Sequence, residues 1–74
     1  MRFEVPEPGH VTLRIHDVAG RTVRTLIDAE MPRAIHTVTW DARDDRGRPL
    51  ASGVYVGRLE AAGRGESRKL VLAR

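Results

Sequence analysis

Polar and apolar residues alternate strictly through His10-Val11-Thr12-Leu13-Arg14-Ile15-His16-Asp17. A period of two predicts a strand with Val11, Leu13 and Ile15 on one face. Pro6-Glu7-Pro8-Gly9 punctuates its start, and Asp17-Val18-Ala19-Gly20 its end, where Gly20 can take the positive φ of a tight turn. Residues 21–27 then read as the returning arm of a hairpin, with Thr22 and Arg24 facing water. Val23, Leu26 and Ile27 also fit the i, i+3, i+4 spacing of a helix, although the β-branched residues of this run favour the strand.

Residues 28–32 read as a loop, after which alternation resumes in Ile35-His36-Thr37-Val38-Thr39-Trp40. The even positions His36, Val38 and Trp40 share a face, and Trp40 is the expected centre of the core. Residues 41–49 are polar, end in turn formers and predict a surface loop. β-Branched and aromatic residues return in 54–61, and a turn at Ala62-Gly63-Arg64-Gly65 leads to a last strand over 67–73. No internal repeat stands out. Short strands separated by turns, without a convincing helix, predict an all-β sandwich or barrel.

A chain of 74 residues makes one domain, 1–74, with a core that is barely sufficient. With 41% hydrophobic and 31% charged residues it is too apolar for a disordered segment. Its longest uncharged apolar stretch, near residues 50–57, is far short of the roughly 20 residues of a membrane helix. Met1 to Pro6 meets a glutamate and a proline too soon for a secretion signal, so an exported protein would carry its address elsewhere or have lost it. Cysteine is absent, which removes disulfides, Cys-ligated zinc and thiol nucleophiles together. Lys69 is the only lysine, and a formal charge of +3 does not demand an anionic partner.

The residues that could carry chemistry are few. Asp41, Asp44, Asp45 and Gly47 suggest a calcium loop, but the third position from Asp41 is Arg43 and the twelfth is Ser52, where an EF-hand needs oxygen ligands. A solvated turn capped by aspartates is the better reading. His10 and His16 lie at opposite ends of one strand and His36 on another, which does not make a zinc set. Ser52 and Ser67 lack the surroundings of an activated nucleophile. Arg43, Arg46 and Arg48 interleave with Asp44 and Asp45, which would repel a nucleic-acid backbone, and no aromatic is left over for stacking on bases or sugars. The expected protein is not an enzyme and holds no cofactor and no metal.

Four runs of residues resemble one family: Val11-Thr12-Leu13-Arg14-Ile15-His16-Asp17-Val18-Ala19-Gly20-Arg21, His36-Thr37-Val38-Thr39-Trp40-Asp41, Ala51-Ser52-Gly53-Val54-Tyr55 and Arg68-Lys69-Leu70-Val71-Leu72. In this order they are similar to the Ig-like domain of the flagellar hook-capping protein and to the C-terminal sorting domains of type IX secretion substrates. The resemblance implies a small Ig-like antiparallel β-sandwich of about six to seven short strands, at the end of a longer exported protein. Gly53 is expected to bend the chain into a strand, and Tyr55 to resemble the tyrosine corner of such sandwiches, whose hydroxyl bonds backbone across a turn.

Two functions follow from the resemblance. As a sorting or surface-anchoring module of a secreted bacterial protein, the domain would present Lys69, Val71 and Arg74 to secretion or attachment machinery, with its cargo as the rest of the chain. The same residues also suit an ordinary last strand with a basic end. The second function starts from a departure: the family's Asn-Pro-Phe-Asn-Pro type lead is missing and the chain starts at Arg2-Phe3-Glu4-Val5, so the first strand is short or missing. The edge thus opened could accept a strand from a neighbour and build a homo-oligomer or filament. A further departure, Arg33-Ala34-Ile35 where the family favours glycine, alters one turn.

Overall fold

Strict alternation in the chain becomes pairing in the computed structural model, which describes residues 2–73. Six strands form: β1 (Arg2–Val5), β2 (Gly9–His16), β3 (Thr22–Met31), β4 (Ala34–Thr37), β5 (Gly53–Ala61) and β6 (Arg64–Leu72). No helix occurs among the described residues. β3, β2, β5 and β6 pair antiparallel, in that order, into one sheet, and β1 pairs antiparallel with β4 in a second. The architecture is a small Ig-like β-sandwich with unequal layers. β1 is indeed a short first strand, at four residues.

The buried face of β2 is the predicted one: Val11, Leu13 and Ile15 are 2% exposed or less. Val11 and Leu13 join Phe3 and Val5 of β1 and Ala61 of β5 in one buried cluster, and Leu26, Ile27, Met31, Val38 and Leu59 pack against it. Removing such a side chain, as in Leu13→Ala, typically costs about 2–5 kcal/mol.

Four expectations change. Residues 28–31 are strand, not loop, because Ala29 and Met31 stay in register with Val11 and Gly9 while Asp28 and Glu30 face His10 on the outer side. Leu26 and Ile27 are adjacent yet both pack on the core, since a bulge drops Leu26 from the register between Leu13↔Ile27 and Arg14↔Thr25. That bulge is why the run also fits a helical spacing. Arg24 lies opposite Ile15, its side chain 28% exposed, and turns toward the 41–45 loop instead of water.

Trp40 is not the centre of the core. β4 ends at Thr37, so the indole sits beyond the sheet, half-buried, edge-on to the Tyr55 ring at 5.7 Å. Its Nε1 donates to the Arg43 carbonyl at 3.1 Å. An indole needs a partner for that N–H, and the end of the sandwich supplies one where the apolar centre does not.

Candidate functional site

The two sheets differ in width, and the difference defines the site. Among the described residues, β1 has β4 on one side and no strand on the other. On that free side a trough runs along β1, walled by Arg2, Phe3, Glu4 and Pro6 and floored by Leu59 and Ala61 of β5. Neither end of it is lined by β4. Leu59 is only half-buried although it pairs with Leu13 on one side and Glu66 on the other, since it packs against the core and also lines the trough.

The far wall is β6. Tyr55, Leu59 and Ala61 point inward, and register places Leu70, Glu66 and Arg64 opposite them; Arg68 stands opposite the buried Gly57. The inward row of β6 is therefore Arg64, Glu66, Arg68 and Leu70. The three charged residues of this row are exposed and, among the described residues, make no hydrogen bond or ion pair through their side chains. Inward-pointing charge on a bare edge strand discourages indiscriminate pairing. β5 and β6 are joined at Ala62 and Gly63, whose φ values of 52° and 74° make the two-residue primed turn of a hairpin. The turn thus takes only the first two of the four residues expected for it, 62–65, and β6 starts at Arg64 instead of Ser67.

Other candidate residues lie apart from the trough. Lys69 and Val71 are exposed on the outer face of β6, Val71 opposite Val54. Arg74 lies outside the described residues. Tyr55 is buried and donates its hydroxyl to the Ala51 carbonyl at 2.7 Å. At Gly53 a side chain would meet open space, and its φ is not left-handed, so neither room nor backbone requires a glycine there.

The aspartates of the 41–49 loop have structural partners. Asp44 Oδ1 accepts from the backbone N–H groups of Arg46 and Arg48, both at 2.9 Å, and Oδ2 from Arg48 Nε at 3.3 Å. Asp17 does the same with Ala19, Arg21 and the Arg21 guanidinium. Each Asp–x–x–Gly–Arg run closes on a glycine of positive φ, Gly20 at 85° and Gly47 at 78°. A five-residue motif is thus used twice, a small repeat that the hydrophobic pattern does not display and the aligned spacing of Asp, Gly and Arg does. Both carboxyls are held below the usual carboxylate range, first by the backbone N–H of Arg21 or Arg48 and further by that arginine's charge.

The histidines are separate. His10 pairs with Asp28 at 2.6 Å and Glu30 at 3.4 Å across β2 and β3. His16 Nδ1 meets Thr22 Oγ1 at 3.2 Å. His36 stacks on Phe3 with ring centres 5.5 Å apart, its Nε2 buried without a hydrogen-bond partner. Ser67 Oγ accepts from Arg58 Nη1 at 3.0 Å. Arg43 and Arg48 serve their own loop, Arg43 Nη1 reaching the Gly47 carbonyl at 2.9 Å.

Known proteins share this pattern. The basal-body rod modification protein FlgD of Salmonella typhimurium is 40% identical over 53 residues, which is 70% of this chain and 23% of the relative. FlgD of Salmonella typhi matches to the same extent. The match thus spans under a quarter of the length of these curated relatives. No solved structure matches. The family model described as the FlgD Ig-like domain matches residues 1–65, from β1 into β6, and the chain belongs to the FlgD Ig-like domain family.

Proposed function

We propose that this chain is a non-catalytic structural domain, residues 1–74, that assembles by accepting a β-strand from a neighbouring subunit at an open sheet edge. One observation carries the reading: β1 has a free side, and that side faces an uncovered, partly apolar trough. Unpaired strand edges recruit strands, main-chain bonds supplying affinity and side-chain pockets specificity. The relatives it matches are named basal-body rod modification proteins. The non-catalytic part draws support from Asp17 and Asp44, which are committed to their own turns.

Light scattering and amide exchange over a wide concentration range test this. A mass that rises above one chain, with slowed exchange along an edge strand, is expected. A one-chain mass throughout, with unchanged exchange, would remove assembly between copies.

The sorting reading draws on the exposure of Lys69 and Val71 on β6. A secreted or cell-surface site of action belongs to both readings. Normal export of a cargo fusion lacking residues 69–74 would end the sorting reading.

A further inference from the structure

The open edges of the two sheets differ in what they admit. Beside β1 the wide sheet runs on, with Leu59 and Ala61 of β5 flooring the trough and β6 forming its far wall. Stacked sheets lie about 10 Å apart, so a folded copy brought edge to edge with β1 would drive its own wide sheet into β5 and β6. That side is left to a strand with no sheet beneath it. β6 is the outermost strand of the wide sheet, and among the described residues no strand and no backbone partner lies beyond it. There a second folded copy can come edge to edge.

About a two-fold axis perpendicular to the sheet, β6 meets β6 of a second copy antiparallel, and inward residues oppose inward residues. The inward row reads Arg64, Glu66, Arg68, Leu70, Leu72. Register therefore decides which charges meet. Centred on Glu66, it sets Glu66 against itself and Arg64 against Arg68; centred on Arg68 or Lys69, it sets that cation against itself. Centred on Gly65, it pairs only residues 64–66 before the turn at Ala62 and Gly63. Centred on Leu70 or Val71, it pairs only residues 68–72 or 70–72 and opposes no unlike charges.

Centred on Ser67, it pairs residues 64–70, and Glu66 of each copy stands opposite Arg68 of the other. The same register lays the Arg64 stem across half-buried Leu70 and sets Lys69 opposite Gly65. On the outer face the Arg58 side chain fills the space that Gly65 leaves, but Glu60 holds it at 3.2 Å, and exposed Lys69 of the second copy turns its ammonium to solvent.

We infer that two copies of this chain join through β6 in the register centred on Ser67, making one continuous sheet with reciprocal Glu66–Arg68 pairs at the seam. The inference rests on the strand-addition reading and assigns the contact between folded copies to β6. The charges that discourage indiscriminate pairing at this edge thereby select one pairing.

The test exchanges charges at the seam and follows mass by light scattering across concentration, with amide exchange along β1 and β6. Glu66→Arg alone and Arg68→Glu alone each oppose like charges at both pairs, and each is expected to associate about tenfold or more weakly than the unaltered chain. In an equimolar mixture of the two variants, unlike charges meet at both pairs again, and a two-chain mass with slowed β6 exchange is expected to return. Glu66→Arg with Arg68→Glu in one chain should associate as the unaltered chain does. Both positions are exposed, and a melting curve of each variant checks that it is folded.

Association that both single variants retain, or that neither the mixture nor the double exchange restores, would overturn the register. Association that protects β1 and not β6 would overturn the placement and leave strand addition at β1 standing. A one-chain mass for the unaltered chain at every concentration would overturn the inference together with assembly between copies. Charge-dependent association that protects β6 alone would uphold it and remove β1 as the acceptor between copies.

Discussion

The two edges of the four-stranded sheet are treated in opposite ways. At β3 a loop lies against the edge: Asp45 N–H donates to the Val23 carbonyl and Thr25 N–H to Asp45 Oδ1, both at 3.0 Å. Arg24 reaches out from the sheet and donates to the carbonyls of Asp44 at 3.2 Å and Arg43 at 3.4 Å, with Asp41 and Asp45 beside it. At β6 no backbone partner covers the outer edge among the described residues. Its first half is guarded by Arg64, Glu66, Arg68 and Lys69, and its second half, Leu70-Val71-Leu72, carries no charge, with Val71 70% exposed. A sandwich this small has one long loop to spend on an edge. The difference teaches that shielding one edge is local structure, while the other edge is left to charge, or to a partner.

Cutting the shield should give the largest effect. Arg24→Ala strands two carbonyls and frees two aspartates, and is expected to destabilise the fold by about 1–3 kcal/mol in urea unfolding. Faster exchange of the Asp45 amide should accompany it; unchanged stability and exchange would mean that the loop holds without its latch. Tyr55→Phe removes the bond to Ala51 at the exit of the same loop and should cost about 1 kcal/mol, with the ring packing on Trp40 kept.

Acid probes the paired turns that carry the motif. Asp17 and Asp44 titrate below the ordinary carboxylate value in the folded state, so their contribution is present above about pH 4 and is lost as pH falls through the lowered folded values. Unfolding measured down the acid range should show stability falling there. Asp17→Asn with Asp44→Asn should flatten that slope, and an unchanged slope would assign acid sensitivity to other groups.

The smallest effect belongs to the open edge. Val71→Thr should change stability by less than about 0.5 kcal/mol, since the residue is exposed and its strand has no outer neighbour. A loss well beyond that would show that β6 is as firmly built in as β3.

Much of the fold was legible in the sequence for one reason: alternation states which side chains share a face. Val11, Leu13 and Ile15 read as buried and are. The turn at Gly20 was legible because a left-handed residue after Asp-Val-Ala leaves few choices, and the second copy of that motif at Asp44 was legible in principle, although the mixed charges of the loop disguised it. Where alternation fails, the sequence was silent. Adjacent Leu26 and Ile27 needed a bulge to be placed, Asp28 and Glu30 looked like loop until His10 lay across from them, and Trp40 looked like core until β4 ended three residues short of it.

The candidate site was legible only in outline. A strand over Arg2-Phe3-Glu4-Val5 and an edge open to another strand were expectations of the sequence, but not the half-buried Leu59 or the inward row of β6 that holds Arg64 and Arg68. Period two assigns each side chain to a face, and that much the sequence determined by itself. What covers each face depends on how wide the opposing layer is, and that was decided by the tertiary structure, where two strands lie over four.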